Sequence, residues 1–359
     1  MTELVTRHIP ANFGRSRSHD APPVPFFVDW LSLHQTHVQE LPIINAGVIQ
    51  KTDVGGEIVW RTTAASKVEG SHETSVQVRC DGHTVTFSGN VSRFGRPDNL
   101  FGFDLAACLR RVNQILARLG LPPFTMGLKF ERLVKTQAGL VSKTCWTGCQ
   151  ITRIDLTANF ETGSLANARA YMEWLATQQN GSRMKVGTHA DGETVDWGRG
   201  SRRLYAKCYL KSAEIKKHGG PAEVAAYCEE VGLIRFELTI KATQLHSMNC
   251  AYLGGFDMNV IEGLFDQKRA VLTQAAHTVD DLENLPRPLR CTARDWLAGD
   301  NLAARFSDRT FRRHRAALLP YGIDIAVKRN VIEFKPRVRV IEVRAASVPC
   351  WYDLPRLAA

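Results

Sequence analysis

Three stretches between residues 151 and 241 alternate an apolar residue with a polar one, and this constrains the fold more than any other feature. In Ile151–Phe160, Ile154, Leu156, Ala158 and Phe160 alternate with Arg153, Asp155, Thr157 and Asn159. In Arg202–Glu214, Leu204, Ala206, Cys208 and Leu210 alternate with Tyr205, Lys207, Tyr209 and Lys211. In Leu233–Lys241, Ile234, Phe236, Leu238 and Ile240 alternate with Arg235, Glu237, Thr239 and Lys241. Period two is the mark of a strand with one buried face. Three such strands in one sheet share an apolar side and gather their chemistry on the other.

That second side carries two phenols interleaved with two ammonium groups. Fixed positive charge favours a phenolate, and a phenolate is a competent nucleophile towards phosphorus. The pattern does not choose between Tyr205 and Tyr209. The plainer alternative is a surface strand whose Tyr and Lys stems cover apolar neighbours. Asp155 and Glu237 supply two hard carboxylates, the donors that Mg²⁺ or Mn²⁺ takes, with waters and a substrate phosphate completing the shell. The competing reading is cross-strand pairing with Arg153 and Arg235. Lys207 and Lys211 are placed to offset charge on a phosphorane.

The partner follows from charge. A net charge of +10 and a pI near 9.3 favour a polyanion, nucleic acid first. No apolar run reaches membrane-spanning length and no lipidation signal is present, so no membrane association is expected. The start has no secretory leader, and nine scattered cysteines, with only Cys145 and Cys149 close together, read as reduced thiols of a cytosolic protein rather than a zinc site. Neither a Walker-type phosphate loop nor a dinucleotide fingerprint occurs, so ATP and NAD are not implied.

In chain order, residues 1–25 read as a flexible basic leader. An apolar strand follows over Phe26–Leu33, in which Asp29 is either a hydrogen-bonded buried acid or a third site carboxylate. Ser75–Cys80 and His83–Val91 flank Asp81-Gly82, predicting a hairpin with a type I′ turn. Arg93–Phe103 is a loop whose Arg93 and Arg96, with Phe94 and Phe101, suit either single-stranded bases or docking on the core. Asp104 caps a helix to Leu119, and Ser164 opens a second. Strands are expected at Gly127–Leu133, Ala138–Gln150 and Thr194–Trp197, with a helix over Pro221–Val231. Mostly antiparallel strands with interposed helices predict an α+β fold, helices packed on one face of the sheet. The composition shifts near Leu245, giving a domain over 26–245 and a smaller one over 246–359. The latter contains a basic helix with Arg312, Arg313 and Arg315, a strand over Val338–Val343 and a docking tail at Trp351-Tyr352.

Several ordered segments carry a resemblance: Val28-Asp29-Trp30-Leu31, Asp98–Gly102 with Asp104-Leu105-Ala106, Arg153-Ile154-Asp155, Tyr209-Leu210-Lys211 with Glu214, and Arg235-Phe236-Glu237. Phe311-Arg312-Arg313, Tyr321-Gly322-Ile323-Asp324 and Trp351-Tyr352 continue it. In this order the chain resembles the gene II replication initiators of filamentous phages and related phage and plasmid replication proteins. The resemblance implies a rolling-circle-initiator-like nuclease domain. It implies site-specific nicking of the viral strand of supercoiled double-stranded phage DNA through a 5′-phosphotyrosine, then cleavage and circularisation of the displaced single strand. By motif position Tyr209 is the nucleophile, with Tyr205 a candidate second tyrosine, and Glu214 joins Asp155 and Glu237 as a metal-ligand candidate. The His-hydrophobe-His metal pair of the wider rolling-circle class is not visible. Arg93, Arg96, Arg153, Lys207, Arg235, Arg312, Arg313 and Arg315 are the expected DNA contacts. Origin DNA, a host helicase and a polymerase are the implied partners, in the cytoplasm of the bacterial host. A plasmid relaxase or transposase shares this chemistry, and a non-catalytic DNA-binding regulator shares the charge.

Overall fold

The computed structural model describes residues 26–352 apart from 138, 182–183, 190–191, 274–284, 320–322 and 327–340. The expected leader and residues 338–340 of the expected C-terminal strand lie outside the described residues. Its centre is a ten-stranded sheet in which every neighbouring pair is antiparallel. The three alternating segments lie side by side as β12 (Leu204–Leu210), β13 (Leu233–Lys241) and β9 (Gln150–Glu161), followed by β1 (Phe26–Thr36). Beyond β1 the hairpin of β5 (Ser75–Cys80) and β6 (Thr84–Asn90) extends the sheet, with β4 (Ser66–Glu69) at its edge. Beyond β12 come β11 (Thr194–Trp197) and β10 (Val186–Thr188).

The apolar sides of these strands face one core. Ile154, Leu156, Ala158, Cys208, Phe236 and Leu238 pack there with helices α1 (Leu105–Arg118), α2 (Leu165–Leu175) and α6 (Met258–Thr273). This is the expected α+β arrangement, and the sheet's core runs past residue 245 into Ile261 and Phe265 of α6. Both expected caps form: Asp104 accepts from the Ala107 amide and Ser164 from the Asn167 amide. A second cluster joins α3 (Lys211–Lys217) and α4 (Ala222–Glu230) to Leu100, Phe101 and the C-terminal Tyr352. A third unites α7 (Arg287–Leu297), α8 (Leu302–Arg305) and α9 (Asp308–Leu318). No helix among the described residues is long and apolar enough to cross a membrane.

Several local expectations change. The type I′ turn does not form: residues 81–83 make a three-residue loop, in which Asp81 Oδ1 accepts from the His83 and Thr84 amides. Only Gly82 has positive φ there, whereas a type I′ turn needs two such residues. Phe94 and Phe101 are buried, so they dock on the protein and do not present rings to bases. Residues 341–343 carry no strand; the pairing falls instead at Arg344–Ala345, against β9. Two exposed ribbons leave the body: β2 (Val48–Thr52) with β3 (Ile58–Thr63), unforeseen in the sequence, and β7 (Lys129–Thr136) with β8 (Gly139–Trp146).

Candidate active site

The register of the central strands decides which polar side chains meet. Lys207 pairs across with Glu237 and Glu237 with Thr157; Tyr209 pairs with Arg235 and Arg235 with Asn159; Tyr205 pairs with Thr239 and Thr239 with Asp155. On β1 the pairing slips between Val28 and Trp30, making Asp29 the extra residue of a β-bulge. A bulge re-aims side chains. Here it lets Asp29 and Trp30 both serve the polar face while Val28 and Leu31 stay in the core.

Tyr209 donates its hydroxyl to Glu237 Oε1 at 2.5 Å. The other oxygen of Glu237 is held by Lys207 Nζ at 2.9 Å, and that ammonium lies 4.9 Å from the Tyr209 ring centre. Burial pushes the Tyr209 phenol well above its ordinary pKa, and the Glu237 charge adds to the rise. The expected phenolate is therefore corrected: the resting group is a neutral phenol, because it is buried and its hydrogen-bond acceptor is an anion. Burial would raise Glu237 too, but Lys207, Arg235 and the phenol donor bring its pKa below the usual carboxylate value. An ionised acceptor thus waits on the phenol's proton. Tyr205, two rows away, donates to Asp196 Oδ2 at 3.4 Å, and burial with the Asp196 charge raises its pKa as well.

Lys211 is buried at the start of α3, donating to Glu214 Oε2 at 2.6 Å and Asn99 Oδ1 at 2.8 Å. Burial, reinforced by the Arg235 charge, lowers its pKa to about 8. Asn99 also donates to Asp29 Oδ1 at 3.1 Å, so one amide ties the Lys211 end of the site to the bulge. Asn99 lies in the Asp98–Gly102 segment of the resemblance, but no periodicity gives this loop residue a role, which depends on the strands it lands on. Asp155 is gripped at both oxygens by Arg153, at 2.8 and 2.6 Å, while Arg153 stacks 5.0 Å from the Trp30 ring.

Three expected DNA contacts fall elsewhere. Arg235 is fully buried: it donates to Asn159 Oδ1 at 2.9 Å and to the carbonyls of Asn99 and Leu100 at 2.8 and 2.7 Å. Arg96 is buried against the Ser92 carbonyl and the Tyr352 hydroxyl. Arg315 clamps the buried Asp324 with two hydrogen bonds, at 2.6 and 2.9 Å. Arg235 and Arg96 hold the protein together and do not face solvent as phosphate contacts must, while Arg315, 38% exposed, is engaged by Asp324. Arg153, Lys207 and Arg93 remain partly exposed beside the site, and Arg312 and Arg313 are exposed on α9.

The oxygen donors suit a divalent ion. Asp29, Asp155 and Glu237 come from adjacent strands, and burial raises the pKa of both Asp29 and Asp155, with the Glu237 charge adding to each. The Thr157 hydroxyl, on the same face, is buried without a hydrogen-bond partner. All four are hard donors. They are not gathered, however: among the described residues no three acidic, His or Cys groups form a metal cluster, and Arg153 and Lys207 hold two of the carboxylates. Glu214, the other expected ligand, lies on α3 and is paired with Lys211.

The central sheet thus carries, on its polar face, a buried phenol hydrogen-bonded to an ionised carboxylate with cations beside it. Comparison with known proteins places the chain in a family. Residues 27–261 match the family model for the N-terminal part of the phage replication-associated protein of gene II type, and residues 278–358 match the model for its C-terminal part. The replication-associated gene II protein of Escherichia phage If1 is 30% identical over 321 residues, covering 78% of this chain and 98% of that protein. The protein of the same name from Enterobacteria phage I2-2 is 26% identical over 355 residues, covering 91% and 96%. The chain belongs to this family of gene II replication-associated proteins. A rolling circle replication initiator protein from Geobacillus stearothermophilus aligns over 62% of this chain and 76% of its own at 11% identity, with a TM-score of 0.25, too low to carry an argument.

Proposed function

We propose that the protein initiates rolling-circle replication of a phage genome by nicking one strand of its DNA through Tyr209. The observation that carries this reading is the hydrogen bond from Tyr209 to the ionised Glu237, with Lys207 on the opposite carboxylate oxygen. Family membership supplies the replication context.

In the proposed step the Tyr209 oxygen attacks a backbone phosphorus and passes its proton to Glu237 Oε1. The Tyr–O–P bond forms as the bond from phosphorus to the 3′ oxygen breaks. That oxygen takes up a proton from water to become the 3′ hydroxyl, and the 5′ phosphate stays on the tyrosine. The phosphodiester's energy is kept in the new ester, so a later attack by a 3′ hydroxyl reseals a strand without ATP. Lys207, one-third exposed, balances charge on the phosphorane oxygens. Asp29, Asp155 and Glu237 are the residues that would hold a Mg²⁺ or Mn²⁺ ion, the last two being carboxylates that Arg153 and Lys207 pair with in this structure. Such an ion supplies charge neutralisation at the phosphate. Tyr205, on the same face, is placed for a second strand exchange.

The test is incubation with supercoiled DNA carrying the protein's own gene, with and without Mg²⁺, followed by mapping of the nick and of the protein–DNA adduct. A nick with a Tyr209-linked peptide on the 5′ phosphate supports the reading. An adduct at another residue, or binding without cleavage under every metal condition, removes it.

A further inference from the structure

The β7–β8 ribbon is held firmly at its root and left bare along its length. At the root Gly127 and Gly148 cross so closely that a Cβ on Gly127 would stand 2.0 Å from the Gly148 nitrogen. Gly127 also has φ of +69°, a conformation glycine adopts freely. The Leu128 carbonyl accepts from the Thr147 amide at 3.0 Å, and Trp146 lies against Gly254 and Gly255 of the body. Beyond that anchor both faces meet solvent: Leu133 and Leu140 are about 70% exposed, and Phe130 and Val141 are exposed too. A bare two-stranded ribbon has marginal stability by itself, and exposed apolar residues on it are a liability unless something covers them.

Its charge identifies the occupant. Residues 129–146 contain Lys129, Arg132, Lys135 and Lys143 against a single acid, Glu131. Glu131 already accepts from the Ser142 and Thr144 hydroxyls at 2.7 Å each. Arg132 and Lys143 stand directly opposite each other in the ladder, and no carboxylate among the described residues lies within ion-pair distance of either. Like charges so placed repel, and an anion between them relieves the repulsion. The β2–β3 ribbon lacks this bias: Lys51 and Arg61 are balanced by Asp53 and Glu57.

We infer that the β7–β8 ribbon is a duplex-binding arm, which enters a groove of double-stranded DNA and uses Arg132 and Lys143 on its phosphates. This rests on the DNA reading of the function above. Eight residues at about 3.3 Å each give a ribbon of roughly 25 Å, and a two-stranded ribbon fits the ~12 Å major groove of B-DNA. The arm grows from the residues just before β9, the strand that carries Asp155, so a duplex on the arm is tethered to the strand bearing the site.

The experiment compares the full chain with an Arg132→Gln/Lys143→Gln variant. Both side chains are exposed, so an unchanged thermal melt checks that the variant is folded. Anisotropy titrations with a labelled duplex across a salt series are the readout, with cleavage of a single-stranded origin oligonucleotide in parallel. Duplex affinity is expected to fall about tenfold, and the slope of log K against log salt to flatten by up to ~1.8, about 0.9 per lost contact. Single-strand cleavage stays as in the wild type. Equal affinity and slope in the two proteins overturn the inference while leaving the nicking function standing. Loss of self-association in place of duplex binding overturns it in favour of a second copy of the chain. Absence of duplex binding by the wild type overturns the DNA reading itself.

Discussion

The polar face of the central sheet and the β7–β8 ribbon are both strand pairs rich in Lys, Arg and hydroxyl groups, yet they treat charge in opposite ways. On the sheet Lys207 meets Glu237 and Arg153 meets Asp155, both cations partly exposed, and beside it on α3 the buried Lys211 meets Glu214. On the ribbon Arg132 faces Lys143. Paired charges in a low-dielectric site fix each other's position and pKa, which preorganises chemistry. Unpaired charges in water contribute nothing until a partner of opposite sign arrives. On the proposed reading, the first region acts on a bond and the second holds what contains it.

Five substitutions or conditions test that contrast. Tyr209→Phe, the largest, should abolish nicking and adduct formation while duplex affinity stays unchanged; it also removes one hydrogen bond to a charged group, a cost of about 1.5–3 kcal/mol in denaturant titration. Retained nicking would show that the paired region is only structural. Glu237→Gln should slow nicking by roughly 10²–10⁴-fold, the usual worth of a positioned proton acceptor, in single-turnover assays. Arg235→Met should lower stability by roughly 2–4 kcal/mol, since Asn159 Oδ1 and the Asn99 carbonyl lose this donor while the Leu100 carbonyl keeps Asn159 Nδ2, with the DNA salt slope unaltered. A flattened slope would move Arg235 from the structural group to the DNA-contacting one.

The fourth test is pH. Below about 8 the Lys211 ammonium holds Glu214 and Asn99; as pH rises through that value the charge is lost. Nicking should therefore decline above pH 8, up to about tenfold per unit, and Lys211→Gln should lose this limb from its profile. Stability moves the other way. Between about 8 and 10.5 the unfolded chain binds the proton and the folded chain does not, so this group's contribution to stability rises with pH. The Tyr209 phenol, raised well above 10, cannot produce the same limb. The smallest effect belongs to Arg312→Ala/Arg313→Ala, which should weaken duplex binding a few-fold and flatten its salt slope by at most ~0.9 per contact, leaving single-strand cleavage untouched.

Much of this is legible in the residues. Alternation locates β9, β12 and β13 and divides each into an inner and a chemical side, and the capping residues Asp104 and Ser164 mark two helix starts. What alternation cannot give is register. Read along its own strand, the Tyr209 phenol leans on lysines; in the fold it leans on Glu237, because Lys207 and Glu237 fall opposite each other across β12 and β13. Nor does alternation show what covers a face. Arg235 sits on the polar side as expected, but the loop at Asn99 and Leu100 closes over it and makes it a buried strut. The β2–β3 ribbon leaves no trace in the pattern because it has no buried side to betray a period.

That covering loop has a distant fastener. Tyr352 accepts from Arg96, donates to Asp98 at 2.5 Å and packs on Phe101, partners some 250 residues earlier in the chain. The strands that carry the site are complete at Lys241, roughly 110 residues before that tyrosine emerges from the ribosome. At about 5–20 residues per second the interval is roughly 5–20 s, during which a nascent chain carries Tyr209 under an unfastened cover. A chain whose translation has not yet passed Tyr352 thus lacks the last buckle of its site, and the finished geometry belongs to molecules already synthesised beyond that point.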